Sequence, residues 1–247
     1  MKGNEEKCHV LISSQDTVHV NIGTAQIENS KCQKLLGVNI DSKLTFEEHI
    51  NSICKKASAK LNALSRVSQY MDPMKKRLLV NAFFTSQFNY CPLTWMFHSR
   101  NLNNKINRLH ERCLRLIYSD RTSSYEELLN KDNSVSIHHR NLQKLAIEMF
   151  KTYTGIAPQI MNEVFPRNDP LNYDLRRHPE FASRAINSVH YGSESLSFLG
   201  PKIWEMLPPD IKNSRSLDAF KSGIKEWRPQ ECPCRLCKRY IHQVGFI

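Results

Sequence analysis

Residues 44–67, LTFEEHINSICKKASAKLNALSRV, decide the reading of the fold. Phe46, Ile50, Ile53, Ala57, Leu61, Leu64 and Val67 recur at intervals of three and four, which traces one apolar stripe along a long helix. Lys55, Lys56, Lys60 and Arg66 fall away from that stripe, so this helix should bury one side and present cations elsewhere. Upstream the period is different. Cys8 to Ile12 and Thr17 to Ile22 are short β-prone runs, and Gly23-Thr24 supplies a turn before Ala25-Gln26-Ile27, which predicts a hairpin. Gln33 to Asp41 is a further β-type run in which Gly37 marks a bulge or a close backbone approach.

Downstream, Asp72-Pro73 ends one helix and opens another, because proline suits a first helical turn. That second helix carries Leu78, Leu79, Ala82 and Phe83 and should break near Tyr90-Cys91-Pro92. A third, over residues 102–118, directs Ile106, Leu109, Cys113 and Leu116 or Ile117 inward and projects Lys105, Arg108, Arg112 and Arg115 elsewhere. Thr122 to Glu126 resembles a capped helix start, and residues 122–163 continue in helical mode with interruptions at Gly155 and Pro158. Pro166, Pro170 and Pro179 make residues 165–193 irregular; short helices follow over 201–207 and 217–227. The fold class expected is α+β and predominantly α. Its stretches are a β-rich 1–41, a basic helical 42–121, a helical 122–231 and a Cys/His-containing basic tail, 232–247.

Charge separates these stretches. Residues 42–121 hold 14 Lys and Arg against 5 Asp and Glu, an excess of nine within a net charge of +11. The tail adds three cations and no acid, while 1–41 and 122–231 are close to neutral. A basic face localised on helices is the electrostatic footprint of a phosphate-binding surface. No apolar run approaches the roughly 20 residues that a membrane span needs. The first seven residues lack the apolar core of a signal peptide. Eight cysteines, five of them scattered singly, do not resemble a disulfide scaffold, so reduced thiols in an intracellular setting, nuclear or cytoplasmic, are expected.

The order of the pieces carries a resemblance. Asn4 to Ile12, then Lys34-Leu35-Leu36-Gly37-Val38-Asn39-Ile40-Asp41, then Leu44-Thr45-Phe46 with His49-Ile50, resembles the reverse transcriptases of LINE-type (non-LTR) retrotransposons of the jockey-like group. Tyr173-Asp174-Leu175-Arg176, Gly200-Pro201-Lys202-Ile203-Trp204 with Leu207-Pro208, and Phe220-Lys221 before Trp227 are similar to that family's carboxy-terminal segment. The likeness implies a small palm remnant at the amino terminus, a primer grip at Leu36-Gly37-Val38, a helical thumb and a helical carboxy-terminal segment. It also implies that the fingers and most of the palm lie outside these residues. The family's polymerase centre uses an aromatic-x-Asp-Asp turn to hold Mg²⁺. No Asp-Asp pair occurs here, so that Mg²⁺ site is absent and the chain alone should not polymerise. Lys7 stands where the family carries a lysine thought to protonate pyrophosphate; with no metal pair nearby it reads as a surface lysine.

The resemblance and the charge together predict RNA or an RNA–DNA duplex as the partner, with neither a membrane nor a small-molecule substrate. The backbone-reading residues are Leu36, Gly37 and Val38 with Lys55, Lys56, Lys60, Lys75, Lys76, Arg77, Lys105, Arg108, Arg112 and Arg115. Tyr70, Tyr90 and Trp95 are aromatic side chains able to stack on bases, or to pack in a core. In the tail, Cys232-x-Cys234-x-x-Cys237-x4-His242 sets three thiols and an imidazole at a spacing suited to tetrahedral Zn²⁺, among the basic Arg235, Lys238 and Arg239. Cys91 with His98, and Cys113 with His110, follow helix spacing and suggest no nucleophilic catalysis. The competing expectations are a non-catalytic protein-interaction protein and a non-functional relic of a retroelement.

Overall fold

The computed structural model describes residues 8–12, 20–22, 25–27, 29–168, 179–183, 185, 192–228, 232 and 234–237. Lys7, the Gly23-Thr24 turn, the Tyr173 to Arg176 string and His242 lie outside the described residues. The chain divides into two compact units, Met1–Asp132 and Asn133–Ile247. Its fold is α+β and predominantly α, with short strands first and helices after them. No helix among the described residues is long and apolar enough to cross a membrane.

In the first unit, β1 (Val10–Leu11) pairs in parallel with β4 (Asn29–Ser30), and β2 (Val20–Ile22) pairs antiparallel with β3 (Ala25–Ile27). The stretch expected as a single run from Gln33 to Asp41 is instead a tight hairpin. β5 (Cys32–Leu35) and β6 (Val38–Asp41) pair antiparallel through a two-residue turn at Leu36-Gly37, whose φ angles are 46° and 88°. Two consecutive positive φ values suit the right-handed twist of a hairpin. Glycine takes its position freely, whereas Leu36 adopts a conformation that β-carbons disfavour.

Asp41 then fastens the hairpin to the first helix. Its carboxylate accepts from the backbone N–H of Lys43 at 3.1 Å, Thr45 at 3.0 Å and Phe46 at 2.6 Å. Burial alone would raise this carboxyl, but the bonds from Thr45, Phe46 and Lys43 outweigh it and hold the pKa below the usual carboxylate value. A depressed folded-state pKa contributes stability that is present above the unfolded value and is lost as pH falls through the folded one. Asp41→Asn is therefore expected to be destabilised relative to the parent at neutral pH, with the difference shrinking under acid. Urea unfolding at several pH values measures it, and a gap that does not narrow with acid would contradict this role.

Helix α1 (Glu47–Val67) buries His49, Ile50, Ile53, Cys54, Ala57, Leu61 and Leu64. Its first turn carries Glu47 and Glu48, which complement the positive end of the helix dipole. A 3-10 turn (Ser68–Tyr70) leads to α2 (Pro73–Val80), capped by the Asp72 side chain accepting from Lys75 N–H at 2.9 Å. A π-helical segment (Asn81–Thr85) follows, then α3 (Ser86–Asn89) and α4 (Pro92–Trp95). Cys91, at φ 42°, makes the expected break before Pro92. Lys76, Val80, Phe84 and Phe88, spaced by four along α2, the π segment and α3, turn inward, while Leu78 and Phe83 are exposed.

Helix α5 (Arg100–Tyr118) packs along α1 with Ile106, Leu109, Cys113, Leu114 and Ile117 buried. Helix α6 (Tyr125–Lys131) starts in a full capping box between Ser124 and Glu127 and packs on α5.

The second unit is built around α7 (Ile137–Tyr153), with α8 (Ile160–Val164), α9 (Leu196–Glu205), α10 (Pro209–Lys212) and α11 (Leu217–Glu226). Helices α9 and α11 both pack on α7. Phe150 stacks on Phe220 at 4.2 Å between ring centroids, and Trp204 lies among Tyr153, Phe181 and Phe220. Helix α9 begins five residues ahead of the expected start and carries Pro201 inside it. At the preceding Gly200 a β-carbon would lie 2.5 Å from the Phe165 ring and 2.8 Å from Met149 Sδ. Glycine at this position is thus required by packing.

Candidate nucleic-acid interface and metal centre

Two hollows run between α1 and α5, and Arg112 lines both. One, of about 600 Å³, is lined by Lys55, Ser58, Asn62, Lys105, Arg108 and Arg112 among others. The next, of about 480 Å³, is lined by Ser65, Gln69, Lys76, Arg112, Arg115 and Arg121 among others. No carboxylate lines either one. Seven cationic side chains therefore line these two hollows, which meet at Arg112 and together make the α1–α5 groove. The apolar stripes that pack α1 against α5 explain why: with both stripes turned inward, the flanking polar positions of the two helices face each other across the seam.

Local bonds hold these cations without neutralising most of them. Lys105 Nζ donates to Asn51 Oδ1 at 2.7 Å and Arg112 to Asn62 Oδ1 at 2.9 Å, both neutral amides. Lys76, buried along its stem, donates to Ser119 Oγ at 3.1 Å just past the end of α5. Arg115 is committed differently. It pairs with Glu111 at 2.6 Å and donates to the Ser123 carbonyl at 2.9 Å, so it organises the α5–α6 connection.

The other expected contact residues are elsewhere. Lys56 and Lys60 are exposed on α1 but line neither hollow. Lys75 pairs with Asp72 at 3.0 Å, and Arg77 with Asp132 at 2.8 Å, which gives both a structural bond. Arg121, which the sequence reading left out, joins the groove. Leu36 and Gly37 form the hairpin tip, where Tyr90 Oη donates to the Leu36 carbonyl and its ring faces Gly37, while Val38 is buried. Leu35 and Leu36 project from that tip into solvent. Trp95 is fully buried with its indole N–H on the Tyr90 carbonyl at 3.1 Å, so it is core rather than a stacking platform; Tyr70 is exposed.

The Cys113–His110 pair does not have the makings of a nucleophile. Cys113 is fully buried, and that burial pushes its thiol far up, away from the reactive thiolate. His110 Nδ1 bonds Tyr125 Oη at 2.8 Å instead.

The second unit holds a cluster of metal-ligating groups. His138 Nε2, in the first turn of α7, stands 3.2 Å from Cys234 Sγ. The ligand atoms of His138, Cys234 and Cys237 all lie within 4.8 Å of one another, an arrangement that can hold a metal ion. Cys237 N–H points at Cys234 Sγ at 3.4 Å. Hydrogen bonding with Cys232, Cys237 and then His138 outweighs burial and holds the Cys234 thiol below its ordinary value, while the same coupling pushes the Cys232 and Cys237 thiols up, so one of the three takes the thiolate role first. His138 escaped the sequence reading because it sits 96 residues before Cys234 in an ordinary helical stretch.

No protein-family model matches the chain, and neither a curated protein nor a solved structure matches it.

Proposed function

We propose that this chain is the carboxy-terminal part of a LINE-type reverse transcriptase, one that grips RNA or an RNA–DNA duplex by its backbone and does not polymerise by itself. The observation that carries the binding reading is the α1–α5 groove: cations from both helices, a shared Arg112 and no lining carboxylate. Lys and Arg in such a track neutralise phosphates and release counterions, which gives sequence-independent affinity. Amide partners such as Asn51 and Asn62 steer the cations while leaving their charge available. The hairpin tip at Leu36-Gly37, within the same unit, is the part proposed to meet the primer strand.

The polymerase half of the proposal rests on the missing Asp-Asp pair. Phosphoryl transfer without metal-binding carboxylates loses the electrostatic support of the two-metal arrangement. Fluorescence anisotropy with a labelled RNA–DNA primer–template tests the binding, and primer extension with Mg²⁺ or Mn²⁺ tests the inactivity. The expected results are saturable binding and no extension. Absence of binding would sink the first part, and extension the second.

For the metal cluster we assign Zn²⁺. Thiolate and imidazole donors suit a borderline-soft ion of tetrahedral preference, and oxygen-seeking Mg²⁺ or Ca²⁺ would not choose them.

A second reading, a protein-interaction module, is favoured by one feature. Tyr70, Met74 and Leu78 are large apolar residues left exposed on the 3-10 turn and α2. Failure to bind nucleic acid by a stably folded chain would favour that reading.

A further inference from the structure

The tail's spacing makes His242 the natural fourth ligand to three cysteines, yet the imidazole that meets the thiols comes from α7. Cys232 also belongs with them. It is only 1% exposed, lies two residues before Cys234, and its thiol interacts with those of Cys234 and Cys237. We infer that His138, Cys232, Cys234 and Cys237 together form one closed, structural Zn²⁺ centre that pins the chain beyond α11 to the first turn of α7. This rests on the zinc reading given above for the cluster.

Three independent features support it. The first is burial without good partners. His138, Cys232 and Cys234 are all buried, and His138 Nδ1 has no hydrogen-bond partner. Thiols are weak donors and acceptors, so burying two of them, with a third half-buried beside them, against an imidazole costs free energy that mutual hydrogen bonds do not return. Metal–ligand bonds would offset it. The second is the approach of the chain. Gln143 Nε2 donates to the carbonyls of Lys225 at 3.3 Å and Trp227 at 3.1 Å, so α7 already holds the strand of chain that leads to Cys232. The third is charge. Three thiolates on Zn²⁺ leave one net negative charge, and the site sits at the amino end of a 17-residue helix, where negative charge is stabilised. Ser136 caps that end by accepting from His139 N–H at 3.2 Å.

Four protein ligands leave no position for water or substrate, which is the mark of a structural rather than a catalytic zinc. The consequence is a covalent-like staple within the second unit between positions 96 residues apart in sequence.

The test uses the full chain, purified under reducing conditions and assayed for zinc by mass spectrometry, then loaded with Co²⁺ for absorption spectroscopy. The expected result is one zinc per chain and a tetrahedral cobalt spectrum with strong sulfur-to-metal charge transfer. His138→Ala should lower zinc affinity by more than about 100-fold, beyond what loss of an outer-shell partner causes. His138→Cys should restore binding and strengthen the charge-transfer band, which guards against a misfolded alanine variant. Cys232→Ser should weaken that band, and His242→Ala should leave metal binding unchanged. Zinc that survives loss of His138 but not of His242 would overturn this inference and leave the zinc reading standing. A parent chain free of zinc, or one carrying a Cys234–Cys237 disulfide, would overturn both.

Discussion

Changing Lys105, Arg108 and Arg112 together to glutamine is expected to weaken binding to an RNA–DNA duplex by about two orders of magnitude at about 0.1 M salt. All three side chains are exposed and line the wider hollow between α1 and α5. Counterion release makes each phosphate contact worth on the order of 1 kcal/mol at that salt, and the three contributions add because the sites act through phosphates rather than one another. Glutamine keeps the stem packing and removes the charge. Lys105 and Arg112 lose only solvent-exposed bonds to Asn51 and Asn62, so the fold should persist. Arg115 is left in place because its bonds to Glu111 and Ser123 would confound affinity with stability. Lys56→Gln with Lys60→Gln is the control: both are exposed on α1 outside the groove, and their loss should weaken binding far less. An equal loss from both sets would mean that bulk charge, not the groove, governs association.

Trp204→Ala should cost the second unit about 3–5 kcal/mol, the range for truncating a buried aromatic side chain. The indole is 1% exposed, lies edge-on to Phe181 at 5.6 Å, and packs on Tyr153 and Phe220 at 5.1 and 6.4 Å. Its N–H donates to the Glu180 carboxylate, and Lys212 Nζ sits 5.5 Å over its ring. Truncation opens a cavity between α7, α9 and α11 and removes a hydrogen bond that ties the residue 180 region to α9. Urea unfolding followed by far-UV circular dichroism measures the loss. Tyr70→Ala, at a site 83% exposed, should change stability little. A cost below about 1 kcal/mol for Trp204→Ala would contradict the packing described.

Much of this was readable from the sequence where the signal is periodic. The α1 stripe from Phe46 to Leu64 and the α5 stripe from Ile106 to Ile117 turn inward as their spacing predicts, and Asp72-Pro73 caps α2. Val67, the last residue of the α1 stripe, is exposed because that stripe outruns the packing. The inward face of Lys76, Val80, Phe84 and Phe88 is not legible in the sequence, because a π-helical segment breaks the 3.6-residue period and no proline or glycine announces it. The β5–β6 hairpin was read as one run because Leu36, not Asn or Asp, occupies the first positive-φ position of its turn.

The candidate sites divide in the same way. Lys105, Arg108 and Arg112 recur on one face of α5 and could be placed from spacing alone. Arg121 lies beyond the end of that helix and needed the chain's actual path. In the tail, the three cysteines declare themselves by proximity, so sequence reasoning supplied the next histidine, His242. His138 carries no local signature, since a ligand contributed by a distant helix is visible only once α7 and the tail are placed.

In the proposed function the α1–α5 groove binds nucleic acid through phosphates. Its most direct test is the dependence of the observed binding constant on salt, for the unmodified chain and an RNA–DNA duplex. Log affinity against log salt is expected to fall on a straight line with a slope of about −3 or steeper, as several cations displace counterions together. A slope near zero would mean that the groove's cations meet no phosphates, and the proposed function would be wrong.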